Sequence, residues 1–140
     1  TGCPIGGAAE KTIRAVEDNG GNVVAFENCG GAKAIDKLVD ESNPDVYDAL
    51  AKRYLDIGCS VMTPNPNRLE LLCRLIDEYK VDAVIEVTLQ ACHTYNVETL
   101  GIKKFVNETK KIPYMAVETD YSQADIGQLN TRMAAFVEML

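Results

Sequence analysis

Val81-Asp82-Ala83-Val84-Ile85-Glu86-Val87-Thr88-Leu89 is an apolar run rich in β-branched residues, and Gln90-Ala91-Cys92-His93-Thr94-Tyr95 follows it directly. The first part reads as a buried strand, the second as the loop at its end. That loop sets a cysteine beside the chain's only histidine. If the chain has an active centre, Cys92 is its first candidate. A strand buried on both faces needs helices above and below, which a parallel sheet supplies through its crossover connections.

Outward from that stretch the pattern alternates. On the amino-terminal side Arg68 to Tyr79 reads as a helix with a buried stripe at Leu69, Leu72, Cys73 and Ile76. Before it, residues 58–67 form a long connection containing Pro64 and Pro66. Asn43-Pro44-Asp45 caps a helix running to about Ile57, with Val46, Leu50 and Tyr54 on one face. Residues 32–42 are polar and ambiguous, a possible helical excursion. Asn22 to Phe26 reads as a short strand that enters the glycine-rich turn Glu27-Asn28-Cys29-Gly30-Gly31. Ala8 to Asn19 is a helix with Ala9, Ile13 and Val16 inward, stopped by Asn19-Gly20-Gly21.

On the carboxyl-terminal side Asn96 to Glu108 is a helix, Ile112 to Val117 a strand and residues 118–125 its loop. A closing amphipathic helix carries Leu129, Met133, Phe136, Val137 and Leu140. Strands alternating with helices give an α/β chain, an open parallel sheet with helices on both faces. In such a sheet the loops after the strands emerge at the carboxyl edge, where ligands bind. The loops of Cys3, Cys29, Cys92 and Asp120-Tyr121-Ser122 would share that edge, provided a first strand precedes Thr1.

Thr1-Gly2-Cys3-Pro4 reads as the loop after a strand, so residues 1–140 are expected to form one α/β domain cut from a larger multi-domain subunit. Fourteen basic against twenty-one acidic residues give a net charge of -7, which excludes the basic patch that nucleic acid or an anionic membrane surface requires. No apolar stretch approaches the ~20 residues of a membrane span. Five dispersed cysteines match neither a disulfide framework nor a zinc ribbon, and favour a reducing cytoplasm with thiolates kept for metal or redox work. Iron-sulfur clusters are held by cysteine thiolates that the fold can gather from distant positions. The glycines beside Cys3 and Cys29 suit close approach of a cofactor, and equally a phosphate cradle at a helix start.

Gly2-Cys3-Pro4-Ile5-Gly6-Gly7, Glu27-Asn28-Cys29-Gly30-Gly31, the stretch from Arg53-Tyr54-Leu55 to Pro64-Asn65, Leu89-Gln90-Ala91-Cys92-His93-Thr94-Tyr95 and Glu118-Thr119-Asp120-Tyr121-Ser122 recur together in one family. With Gly127-Gln128-Leu129, Thr131-Arg132 and residues 135–140 they make the whole chain resemble the carboxy-terminal domain of the 2-hydroxyacyl-CoA dehydratase and benzoyl-CoA reductase family, D-component type. The version with Cys92-His93-Thr94-Tyr95 looks most like the double-cubane cluster proteins. The resemblance implies a flavodoxin-like three-layer fold in an oxygen-sensitive, cytoplasmic subunit, expected as a homodimer. It also implies an iron-sulfur cluster, 4Fe-4S or double-cubane, held by cysteines from more than one domain, so that the ligand set of this chain alone is incomplete. An ATP-dependent activator supplies the electrons, and the substrate is an acyl-CoA or another small molecule.

Carried over by position, Cys92, Cys29 and Cys3 are the metal ligands, with Gly30, Gly31 and His93 lining the cofactor. Each has a plainer reading. Cys92 could be a small buried side chain after a strand, and His93 a structural residue rather than a proton donor. Cys73 belongs to a core stripe, while Cys59 stays open between core, ligand and spare thiol. Asp120, Tyr121 and Ser122 serve best as loop anchors; Arg14, Lys33 and Arg132 pair with surface carboxylates. Two rival functions remain: a non-catalytic electron carrier or cluster scaffold, and a flavodoxin-like module in which residues 2–7 cradle a phosphate.

Overall fold

The computed structural model describes residues 1–4, 6–62 and 64–140. Ile5 of the first glycine-rich turn and Thr63 of the two-proline loop lie outside the described residues. Two parallel strands, β1 (Val84–Leu89) and β2 (Tyr114–Thr119), pair in register from Val84 opposite Tyr114 to Leu89 opposite Thr119. A third segment borders β1 on its other side. The Thr1 nitrogen donates to Ile85 O at 2.8 Å, Val87 N–H to Thr1 O at 2.9 Å and Cys3 N–H to Val87 O at 3.1 Å. This makes a short parallel ladder with its bridge at Gly2 and Val87. Gly2 sits at φ 124°, and a Cβ there would lie 1.9 Å from Val87 O, so only glycine allows the approach.

Helices cover both faces. On one, α1 (Gly7–Glu17) and α6 (Ile126–Val137) pack together and bury Ala15, Val16, Leu129 and Met133 against Val117, with Ile85 and Met115 beside them. On the other, α4 (Pro66–Tyr79) and α5 (His93–Lys104) place Leu72, Ile76 and Ile102 on Val84, joined by Val106. Alternate residues of β1 thus feed opposite cores, as the pleat requires. Beyond α5 the chain widens into π-helical hydrogen bonding over Phe105–Lys110 and leaves through Lys111 in the left-handed region. The expected α/β arrangement of a parallel sheet flanked by helices is what forms.

Several local expectations shift. Residues 22–26 run without strand pairing; the one ladder-like bond near them is Gly2 N–H to Glu27 O at 3.1 Å. The polar stretch after Gly31 forms a single short helix, α2 (Ala32–Ile35). Helix α3 (Val46–Leu55) starts at Asp45, whose carboxylate accepts from Tyr47 and Asp48 N–H as a cap should. Its expected apolar stripe is mostly outward, however: Val46 and Tyr54 are 63% and 66% exposed and Leu50 is half-buried, while Ala49 is buried. In α1 the inward face turns by about one residue, burying Lys11 and Thr12 and leaving Ala9 and Ile13 half-buried. In α4 the same shift buries Arg68, Leu71 and Leu75 and leaves Cys73 half-buried, its thiol donating to Asp77. Leu140, counted inward on α6, is exposed. Hydrophobic periodicity cannot foresee these shifts, because which charged residues go inside depends on ion pairs across the chain.

Candidate functional site

The carboxyl end of β1 organises the site. After Cys3 N–H binds Val87 O, the next rung of the ladder is closed by a side chain: Leu89 N–H donates to Cys3 Sγ at 3.1 Å. The Leu89 carbonyl in turn accepts from Cys92 N–H at 3.0 Å. Both cysteines therefore hang on one residue, Cys3 by its sulfur and Cys92 by its backbone N–H. Ala91, at φ 64°, takes the left-handed conformation that turns the strand end toward Cys92. For a residue with a Cβ that is a strained choice, held by the bonds on either side.

The two thiols differ in acidity. Burial pushes the Cys3 thiol up to about 11, the neighbouring Cys92 adding to the rise and the Leu89 N–H opposing it. At Cys92 burial also opposes ionisation, yet the Tyr95 N–H, the Thr94 hydroxyl and Cys3 outweigh it and hold the thiol below its ordinary range. Cys92 is the N-cap of α5, where free N–H groups and the helix dipole favour a thiolate. Two cysteines anchored on one strand end are a pair of soft donors.

Cys29 stands apart from this pair. It is exposed, and its sulfur lies 3.8 Å from the Tyr95 hydroxyl. Lys33 Nζ donates to the same hydroxyl at 2.7 Å. An ammonium can only donate, so the tyrosine proton is free for the sulfur. The Tyr95 ring is held between Lys33 Nζ, 4.9 Å from its centroid, and the Arg68 guanidinium at 4.8 Å. Burial, and then the adjacent Cys29, push the Tyr95 hydroxyl far up, so it stays protonated.

Under the site lies a buried charge lattice. Arg68 reaches Glu86 at 2.8 Å, Glu98 at 2.7 Å and Glu27 at 3.3 Å, and Lys33 reaches the other Glu27 oxygen at 2.8 Å. The Tyr114 and Thr1 hydroxyls donate to Glu86 and Glu27. Desolvation works against the Arg68 charge, but Glu27 and Glu86 raise its pKa beyond any physiological titration. Lys33, expected among surface pairs, is thus buried on Glu27. Arg14 does pair at the surface, with Glu10, and Arg132 donates to Ala116 O. The one sequence signal for the lattice was Glu86, a carboxylate in the middle of an apolar strand.

The expected gathering of loops along one edge is present. Asn28 Nδ2 donates to Pro4 O at 3.3 Å, and Gln90 N–H to Thr119 O at 2.8 Å. Bonds therefore join the Cys29, Cys3, Cys92 and Asp120 loops in that order. Asp120 accepts from Ser122 N–H and hydroxyl, while Lys11 binds Ser122 O at 2.7 Å and Asp125 at 2.5 Å. These residues anchor their loop. The Cys59 loop adjoins the same end through Asn65 and Glu98, 3.1 Å apart. His93 is exposed on the first turn of α5, its N–H bound to Ala91 O. Gly30 N–H is used by Asn28 Oδ1, and the close approach at Gly31 is to Phe26 O, 2.2 Å from where a Cβ would sit.

A family profile described as 2-hydroxyglutaryl-CoA dehydratase, D-component, matches residues 1–140. The chain belongs to that family. It is similar to the "Putative dehydratase subunit YjiM" of Escherichia coli (strain K12), 61% identical over 140 residues, all of this chain and 36% of that protein. It is also similar to the beta subunit of (R)-2-hydroxyglutaryl-CoA dehydratase from Acidaminococcus fermentans, 26% identical over 136 residues, 91% of this chain and 35% of that protein. The chain spans about a third of the length of the curated relatives it matches. No helix among the described residues is long and apolar enough to cross a membrane.

The donor set can be tested against an iron-sulfur cluster. A cubane takes four thiolates or their equivalents. Among the described residues no three His, Cys, Asp or Glu side chains are gathered to hold a metal ion. The Cys3 and Cys92 pair fits two soft-donor positions, and the remainder would have to come from elsewhere.

Proposed function

We propose that this domain contributes Cys3 and Cys92, with Cys29 as a third donor from the neighbouring loop, to an iron-sulfur cluster in a multi-domain 2-hydroxyacyl-CoA dehydratase-like enzyme or a related low-potential reductase. The observation that carries the reading is the pair of thiols hung on Leu89 at the carboxyl edge of β1. When bound, the cluster supplies one-electron chemistry at low potential. The residues of this chain bind and orient it. Cys92 presents a thiolate at a helix start, the Leu89 N–H steadies the Cys3 sulfur, and Lys33 fixes the Tyr95 hydroxyl toward Cys29. Hydrogen bonds to ligand sulfur tune a cluster's potential.

On this reading the cluster is a 4Fe-4S or double-cubane group, completed by cysteines of other domains. The partner is an ATP-dependent activator, the substrate an acyl-CoA or another small molecule, and the assembly a cytoplasmic homodimer. Gly30, Gly31 and His93 line the same edge. The test is the full-length protein purified without oxygen. It should be brown, contain iron and sulfide, and lose a large share of both in Cys92→Ser. A colourless, iron-free wild type overturns the cluster. ATP-dependent turnover with an activator then separates an enzyme from a passive carrier.

A further inference from the structure

We propose that the outward faces of α2 and α3 are a docking surface for another domain of the same polypeptide, the one that reaches the carboxyl edge to complete the site. The proposal rests on the multi-domain reading above and adds where the second domain sits. Of the ten residues of α3 only Ala49 is buried. Helices shorter than about 12–15 residues are marginal in water, and most helical stability in proteins comes from packing an apolar face. On α3 that face is exposed: Tyr47 by 85%, with Tyr54 and Leu55. Tyr47 and Tyr54 lie two helical turns apart and so share one side. Leu38, 91% exposed, extends the patch, because it lines a groove of about 500 Å³ together with Ala49, Leu55 and charged side chains. The two pieces are held as one surface. The Arg53 guanidinium donates to Ala34 O at 3.0 Å and to Lys37 O, and Lys37 pairs with Asp56. A rigid apolar patch that includes two tyrosines has the composition of an interface centre.

The position of the patch selects its occupant. The excursion that carries α2 and α3 leaves the carboxyl edge at the Cys29 loop and returns to it. Asn67 Nδ2, in the first turn of α4, donates to Asp56 Oδ1 at 2.7 Å, and Asn65 Nδ2 donates to Glu98 on α5 at 3.1 Å. The patch therefore flanks the cysteine loops. Among the described residues no three His, Cys, Asp or Glu side chains are gathered there, so the donors that complete a cluster arrive from other domains. The relatives that this chain matches are about three times its length, which leaves ample polypeptide for such a domain. A covalently linked partner is held at high effective concentration, so a patch of modest area suffices to keep it docked. Interfaces between domains of one chain bury about 600–1,500 Å².

The experiment takes the full-length protein, purified without oxygen, with Tyr54→Cys on the patch or Arg14→Cys on the exposed side of α1 as the control. A maleimide pulse is followed by mass mapping of the labelled peptides. Position 54 should label at least about tenfold more slowly than position 14, a protection equivalent to about 1.4 kcal/mol of docking. Tyr47→Cys should show the same protection, which guards against a local effect of the first substitution. A lysine cross-linker then identifies the cover. Peptides bearing Lys37 or Lys52 should be joined to lysines outside residues 1–140, in material that runs as a single chain on a denaturing gel. Equal labelling at positions 54 and 14 overturns the proposal. So do links confined to residues 1–140 or to a cross-linked dimer, the last of which assigns the patch to a second copy. Iron and sulfide decide the cluster separately. A brown protein with fast labelling at position 54 sinks the docking surface alone, and a colourless one with position 54 protected sinks the cluster alone.

Discussion

Replacing Arg68 with methionine tests the buried lattice under the site. Arg68 is fully buried and serves three carboxylates, two of which, Glu27 and Glu86, are themselves fully enclosed. Two side-chain cations, Arg68 and Lys33, serve Glu27, Glu86 and Glu98, and Arg68 bridges all three. Without Arg68, Glu27 keeps Lys33, but Glu86 keeps no side-chain ion pair among the described residues. Removing one partner of a buried pair costs about 3–5 kcal/mol, because the stranded charge stays desolvated. Against a total of about 5–15 kcal/mol for a whole fold, that is a large share. With a urea slope of about 2 kcal/mol per molar, the midpoint should fall by about 2 M. Arg68→Lys should recover little, since an ammonium cannot span three acceptors as the guanidinium fork does. By contrast Arg14, whose pair with Glu10 is mostly exposed, should be replaceable by alanine with no measurable shift. A loss below about 1 kcal/mol in Arg68→Met, about the worth of a surface pair, would refute the claim that the lattice holds the edge together.

Gly2→Ala should be as damaging as any core truncation, lowering stability by more than about 2 kcal/mol, since its Cβ cannot coexist with Val87 O. Gly101→Ala, in the interior of α5 with open space around it, should instead raise stability by up to about 1 kcal/mol; thermal unfolding compares the two, and equal effects would refute the steric account. Lys11→Met bears on acid stability. Burial raises the Asp125 pKa, but Lys11 and Thr119 outweigh it and hold the carboxyl below its usual range. A depressed folded pKa gives stability that is present above the unfolded value of about 3.9 and lost as pH falls through the folded one. The gap between wild type and Lys11→Met should thus be full at pH 6 and narrow below about pH 4. A gap independent of pH in denaturant titrations would sink that assignment.

Much of the candidate site was legible because its parts are local. Cys92 follows an apolar strand, and a loop after a parallel strand must emerge at the carboxyl edge. Cys3 and Cys29 sit in glycine-rich turns, and at Gly2 and Gly31 close backbone approach to Val87 and Phe26 explains the glycine. Lys33 was misread as a surface partner because a lone lysine beside glycines carries no mark of burial. Arg68 was missed altogether: its partners Glu27, Glu86 and Glu98 lie 41, 18 and 30 residues away.

By itself the sequence determined β1, β2 and the helices around them, since side-chain periodicity and capping residues act over a few positions. Asp45 starts α3 where its carboxylate says it should, and the strand before Cys92 alternates between two cores as its pleat dictates. Only the tertiary structure decided which faces go inside. It turned the apolar face of α3 outward and drew Lys11, Lys33 and Arg68 inward, because burying a charge is worthwhile only where an opposite charge from a distant segment already waits. It also decided which cysteines share an anchor. Cys3 and Cys92 both bind Leu89 because the backbone of residues 1–3 runs beside β1 until the ladder ends, and there a sulfur takes the place of the next carbonyl.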